Sequence, residues 1–144
     1  FLSLPGSVRF PPAPVGYGVS CPALLVVDAL AQPHWKIEIC ATSSQSVINA
    51  QNAGADRIEL YTESFAVEFE KGNKNEISKY IEASIFANEL NLGVNAGHDL
   101  DLNNLELFLS KAPVDEVSIG HALITDALIE GLKTVTKKYL DLCK

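Results

Sequence analysis

From Lys36 onward the chain alternates between two hydrophobic periods. Lys36-Ile37-Glu38-Ile39-Cys40 places apolar residues at every second position, the period of a strand. Ser43 or Ser44 can then cap a helix running through Val47, Ile48 and Ala50 and closing near Asn52-Ala53-Gly54. Arg57-Ile58-Glu59-Leu60-Tyr61-Thr62 predicts a second strand. Glu63 to Asn75 is polar and charge-rich and reads as a long loop. Glu76 to Leu90 returns to helical spacing, with Ile77, Tyr80, Ile81, Ile85 and Leu90 largely on one face. A strand over 92–96 follows, then a short helix from Asn103 to Leu109 with Leu102, Leu105 and Leu109 inward. Val114 to Ile119 predicts a fourth strand. A last helix over about 122–141 would bury Leu123, Ala127, Leu128, Leu132, Val135 and Leu140.

The order is strand–helix four times over. Such alternation predicts an α/β fold with a parallel sheet and right-handed crossovers. Eight such units close a TIM-type (β/α)8 barrel, so four make a partial one. A half-barrel leaves two strand edges unpaired. It is expected to self-associate as a homo-oligomer, to borrow strands from the N-terminal region, or to be a fragment.

Residues 1–35 have a different character. Six of the seven prolines lie there, at 5, 11, 12, 14, 22 and 33, with only Arg9 and Asp28 charged. This stretch reads as an irregular Pro-rich extension to a partial-barrel domain over 36–144. Leu24 to Leu30 is its one run that could form a short element, and it lacks the basic flank of a secretory signal. The sequence contains no methionine, so Phe1 reads as the start of a processed, trimmed or partial chain.

Composition narrows the function classes. A net charge of −7 disfavours a nucleic-acid surface. A membrane span would need about 20 consecutive apolar residues, and none is present. The three cysteines at 21, 40 and 143 have neither metal-ligand spacing nor an even count, which points to a reducing cytoplasmic setting. No dinucleotide fingerprint, phosphate loop or zinc spacing occurs, so no cofactor or metal is expected.

Candidate chemistry lies at the strand ends. Val94-Asn95-Ala96-Gly97-His98 and Val117-Ser118-Ile119-Gly120-His121 are two strand–glycine–histidine exits in tandem. Sites in parallel α/β folds are built at such ends, and imidazole titrates near neutrality. Gly120-His121 also opens a helix, where free N–H groups favour a phosphate. Glu59 alternates with Ile58 and Leu60; if those face the helices, Glu59 points into the barrel. The competing reading pairs Glu59 with Arg57 or a lysine. Glu38 has the same phase in the first strand. The charged stretch from Glu63 reads as a solvated loop or as a mobile lid.

Three blocks carry a family resemblance: Gly54-Ala55-Asp56-Arg57-Ile58-Glu59-Leu60-Tyr61-Thr62, Gly93-Val94-Asn95-Ala96-Gly97-His98-Asp99-Leu100 and Glu116-Val117-Ser118-Ile119-Gly120-His121-Ala122-Leu123-Ile124. From about residue 54 the chain resembles the C-terminal part of the pyridoxine 5′-phosphate synthase (PdxJ) family. The resemblance implies a barrel that condenses 1-deoxy-D-xylulose 5-phosphate with 3-amino-2-oxopropyl phosphate in vitamin B6 biosynthesis. It implies that His98 donates a proton, that Glu59 stabilises a transition state, and that Asp99, Gly120 and His121 bind the aminoketone phosphate. The position of Asp99 is often glycine in that family, so contact there would come from the backbone. The phosphorylated substrates are the partners so implied.

Two departures accompany the match. Nothing in residues 1–35 resembles the early strands that bring that family's other catalytic histidine and glutamate, so this chain alone is not expected to complete the condensation. Residues 36–60 also resemble the opening of the copper-homeostasis CutC family, which suggests a composite joined within residues 54–60. The expected function is thus a truncated or composite synthase. The alternatives are a non-catalytic self-associating half-barrel and a CutC-like copper protein.

Overall fold

A computed structural model describes residues 36–144; the expectations for residues 1–35 lie outside the described residues. Four parallel strands stand side by side in chain order: β1 (Glu38–Cys40), β2 (Arg57–Tyr61), β3 (Gly93–Gly97) and β4 (Glu116–Ser118). Between and after them run α1 (Ser44–Asn52), α2 (Glu63–Glu70), a 3-10 turn (Asn75–Ile77) with α3 (Ser78–Glu89), α4 (Leu105–Lys111), α5 (His121–Glu130) and α6 (Leu132–Leu142). This is the α/β alternation of a partial (β/α)8 barrel.

Parity in the strands separates the two faces of the sheet. Ile58, Leu60, Val94 and Ala96 are fully buried against the helices. The register sets the opposite set side by side: Arg57 by Gly93, Glu59 by Asn95, Tyr61 by Gly97 and Gly97 by Ser118. The inner face is therefore polar along its length.

Local signals explain most of the elements. Ser43 caps α1 through a reciprocal box with Ser46, and Gly54 takes the left-handed turn beyond the helix at φ 81°. Asp56 accepts from the Ile37 amide at 2.9 Å and Asp115 from the Val94 amide at 2.8 Å, so one aspartate braces each outer strand pair.

Three expectations are corrected. The stretch from Glu63 holds a helix, α2, because Phe65 and Ala66 turn into the core while the glutamates face outward. Phe65, Tyr80 and Phe108 form an aromatic cluster with centroid spacings of 5.2 to 6.3 Å. In α3 the buried face is Tyr80, Ala83, Ser84 and Ala87, and Ile85 points outward. The packed face is thus made mostly of small residues. The last helix is two helices, broken at Gly131, whose φ of 87° and ψ of 138° no helix accepts. The break turns Val135 and Tyr139 of α6 inward and leaves Leu128, Leu132 and Leu140 exposed. A smaller shift affects α4, which starts two residues late: Asp101 takes the amides of Asn103 and Asn104 in a turn before the helix, and Phe108 becomes the core residue.

Candidate active site

The C-terminal ends of β2, β3 and β4 enclose a cleft of about 500 Å³ lined by Glu59, His98, Asp99, Gly120 and His121, together with Leu100, Ser118, Ile119 and Ala122. Glu59, His98, Asp99, Gly120 and His121 thus share one cleft, whereas Glu38, of the same phase in β1, does not line it. They come from three segments far apart in the chain, which the parallel register brings to the same edge.

Glu59 projects from the middle of β2 on the inner face, and its Oε1 lies 3.8 Å from His98 Nδ1. The pairing with Arg57 does not form. Arg57 Nε lies 2.7 Å from Glu38 Oε2, a contact of charges, and its terminal nitrogen donates to Glu116 Oε2 at 2.9 Å. Glu38, the other carboxylate of that phase, also accepts from Asn95 Nδ2 at 3.3 Å. Arg57 is thus committed one layer below, and Glu59 is left to the site. Burial is the main force raising the Glu59 carboxyl above its ordinary range; the nearby Glu38 charge adds to this and His98 opposes it.

His98 sits on a turn with unusual backbone. His98 and Asp99 both have positive φ, 77° and 55°, a conformation that non-glycine residues adopt at a cost. Buried Thr62 holds this turn in place: its amide donates to the Gly97 carbonyl at 2.8 Å, and its hydroxyl lies 2.5 Å from the carbonyls of both Gly97 and His98. Asn104 donates to the Asp99 carbonyl at 3.0 Å from the other side. The Tyr61 ring packs on the imidazole, with centroids 4.1 Å apart. His98 is aimed by these contacts while half its side chain remains in solvent.

Gly120 and His121 open α5, which begins directly after β4. The first-turn N–H groups of a helix have no partner within it and carry the positive end of its dipole, and Gly120, His121 and Ala122 line the cleft. A phosphate suits that corner. Asp99 lines the same cleft.

Sequence reading missed Tyr61, Thr62, Asn95 and Ser118. Asn95 is almost fully buried and donates to Ser118 Oγ at 3.0 Å, while that hydroxyl lies 3.2 Å from Asn95 Oδ1. The signal was parity: Tyr61 follows Glu59 by two positions, and Asn95 precedes Gly97 by two. Among the described residues, no group of three His, Cys, Asp or Glu side chains could hold a metal ion. No described helix is long and apolar enough to cross a membrane.

The family model described as pyridoxal phosphate biosynthesis protein PdxJ matches residues 26–144. The chain belongs to the PdxJ family. That match lies on both sides of residues 54–60, so residues 36–53 fall within PdxJ and need no second family to account for them. The chain is 57% identical over 96 residues to pyridoxine 5′-phosphate synthase of Christiangramia forsetii, covering 66% of this chain and 40% of that protein. It is 53% identical over 97 residues to the synthase of Flavobacterium johnsoniae, covering 67% and 41%. The synthase of Phocaeicola vulgatus is 46% identical over 116 residues, covering 79% and 49%. The chain spans two fifths to half of the length of these PdxJ relatives.

Proposed function

We propose that this chain carries the phosphate-binding and proton-donating part of a pyridoxine 5′-phosphate synthase site, in a cytoplasmic protein. One observation supports this most: Glu59, His98, Asp99, Gly120 and His121 converge on one cleft from three strand ends. In this reading the phosphate of 3-amino-2-oxopropyl phosphate sits against the amides of Gly120-His121 and the His121 imidazole. Asp99 takes part through its backbone, because its carboxylate would repel the anion. His98, held by Tyr61 and the Thr62-braced turn, gives a proton to the departing oxygen. Glu59 offers negative charge where positive charge develops in the reacting amine. The condensation needs no metal or redox cofactor, since it moves protons and expels water and phosphate.

Isothermal titration with 3-amino-2-oxopropyl phosphate tests the pocket. Saturable binding that weakens about tenfold in His121→Ala, equivalent to about 1.4 kcal/mol, is expected. Absence of heat, or no change in the variant, would remove the phosphate reading.

A second reading, a non-catalytic self-associating half-barrel, draws on α5. Leu128 and Ile129 are 84% and 83% exposed, and none of the helix's residues is buried. A contiguous apolar face of this kind marks a contact surface. Sedimentation velocity across a concentration series tests it: a dimer or larger species is expected, and Leu128→Lys should shift the protein towards monomer.

A further inference from the structure

Strand β3 ends in Gly97, and backbone conformation does not account for a glycine there. The described glycines with positive φ are Gly54, Gly72 and Gly131; Gly97 is not among them. Alanine could adopt its backbone without strain. Space is the constraint. A Cβ at position 97 would lie 2.5 Å from Glu59 Oε1, closer than real Cβ contacts come, and 3.3 Å from both the Cβ and the carbonyl oxygen of Ser118. By contrast, a Cβ at Gly93 would meet the Arg57 Cβ at 3.2 Å, and one at Gly120 would meet nothing within 4 Å. Among these three, Gly97 alone is kept open by a carboxylate of the site.

The register explains the approach. Gly97 pairs with Tyr61, two positions beyond Glu59 on the same face of β2. The Glu59 side chain crosses towards β3 at that level and reaches His98, the next residue after Gly97. We propose that Gly97 is a positioning residue: the space left by its missing side chain is the seat in which the Glu59 carboxylate lies beside His98. A methyl group there displaces the carboxylate, which is the mobile end of a flexible chain, and asks β4 at Ser118 to give by only a few tenths of an ångström. Glu59 then moves towards solvent and its contact with His98 is lost. The inference deepens the proposed function, because it takes Glu59 and His98 as partners in one site; the seat itself can be tested without substrate.

The test follows the Glu59 carboxyl by carbon NMR through a pH titration in four proteins: the parent, His98→Asn, Gly97→Ala and the double variant. Glu38 from β1 and His98 are the charged neighbours that bear on this carboxyl. In the parent background, His98→Asn should raise the Glu59 midpoint by removing an opposing charge. In the Gly97→Ala background the same substitution should leave the midpoint unmoved, and Gly97→Ala alone should bring it down towards the ordinary glutamate range. Equal shifts in both backgrounds would overturn the seat. If Gly97→Ala folds poorly, Glu59→Ala in that background should recover the lost thermal stability, because the crowded oxygen is gone. No recovery would place the clash at Ser118 and overturn the proposal. Phosphate binding at His121 is a separate measurement, so the seat can fail while the proposed function stands, and the reverse.

Discussion

The two faces of the sheet share the same strands and do opposite work. On the outer face Ile58, Leu60, Val94 and Ala96 lie fully buried under helices. On the inner face Arg57, Glu59, Tyr61, Asn95 and Ser118 hold ion pairs, hydrogen bonds and a ring contact. Neighbouring residues of β2 therefore differ in what they face: Leu60 packs into the core and Glu59 lines the cleft. A one-residue change of register would exchange the two roles entirely. The apolar face makes that slip costly, and so the core also sets the geometry of the site.

The sharpest way to break the comparison is to exchange the faces' sensitivities. Leu60→Ala should cost about 3 kcal/mol in denaturant unfolding, as expected for a fully buried leucine. A loss below about 1 kcal/mol would show that the helix-covered face is not the core. Thr62→Val comes next. It keeps the shape but removes the hydroxyl shared by the Gly97 and His98 carbonyls. A loss of about 1 to 2 kcal/mol is expected, with amide shifts concentrated at His98 and Asp99. Shifts spread over α2 instead would mean that Thr62 serves the core and not the turn.

Glu59→Gln should change stability by less than about 1 kcal/mol, because the group is a partly exposed residue of the polar face. The sign depends on pH. The folded carboxyl is raised above its ordinary range, so ionised Glu59 opposes folding at neutral pH. That cost fades as pH falls through the raised folded value and is gone below the unfolded value. Glu59→Gln should therefore be slightly more stable than the parent at pH 7 and equal to it at pH 4. Asp56, just before the start of the same strand, has the opposite sign. The Ile37 amide holds its carboxyl below the ordinary range. Its contribution is present above the unfolded value and lost as pH falls through the lower folded one. Asp56→Asn should thus be less stable than the parent at neutral pH, with the difference closing in acid. Parallel pH profiles for the two variants would contradict the assignment of the two carboxylates.

Much of this was legible in the sequence, because strands announce themselves through alternation. Alternation sets Ile58 and Leu60 on one face of β2 and Glu59 on the other; which face meets the helices is decided by the buried Ile58 and Leu60. The Gly97-His98 and Gly120-His121 exits marked the cleft. Helices were harder to read. In α3 the packed face runs through Ala83, Ser84 and Ala87 and not through the larger Ile85, so hydrophobicity alone did not mark it. Phe65 and Ala66 were hidden among glutamates, so α2 looked like a loop. The turn at Gly131 was hidden because apolar residues continue on both sides of it. Thr62 and Tyr61 carry no charge, and their part in the turn comes from Gly97 and His98 across the strand.

Amide chemical-shift mapping with 3-amino-2-oxopropyl phosphate tests the central claim most directly, namely that the polar face and the strand ends build one phosphate-substrate cleft. The account predicts saturable shifts centred on Gly120 and His121, extending to His98 and Asp99, and smaller in His121→Ala. Shifts centred on Ser43 to Ser46 beyond β1, or none at all, would contradict it.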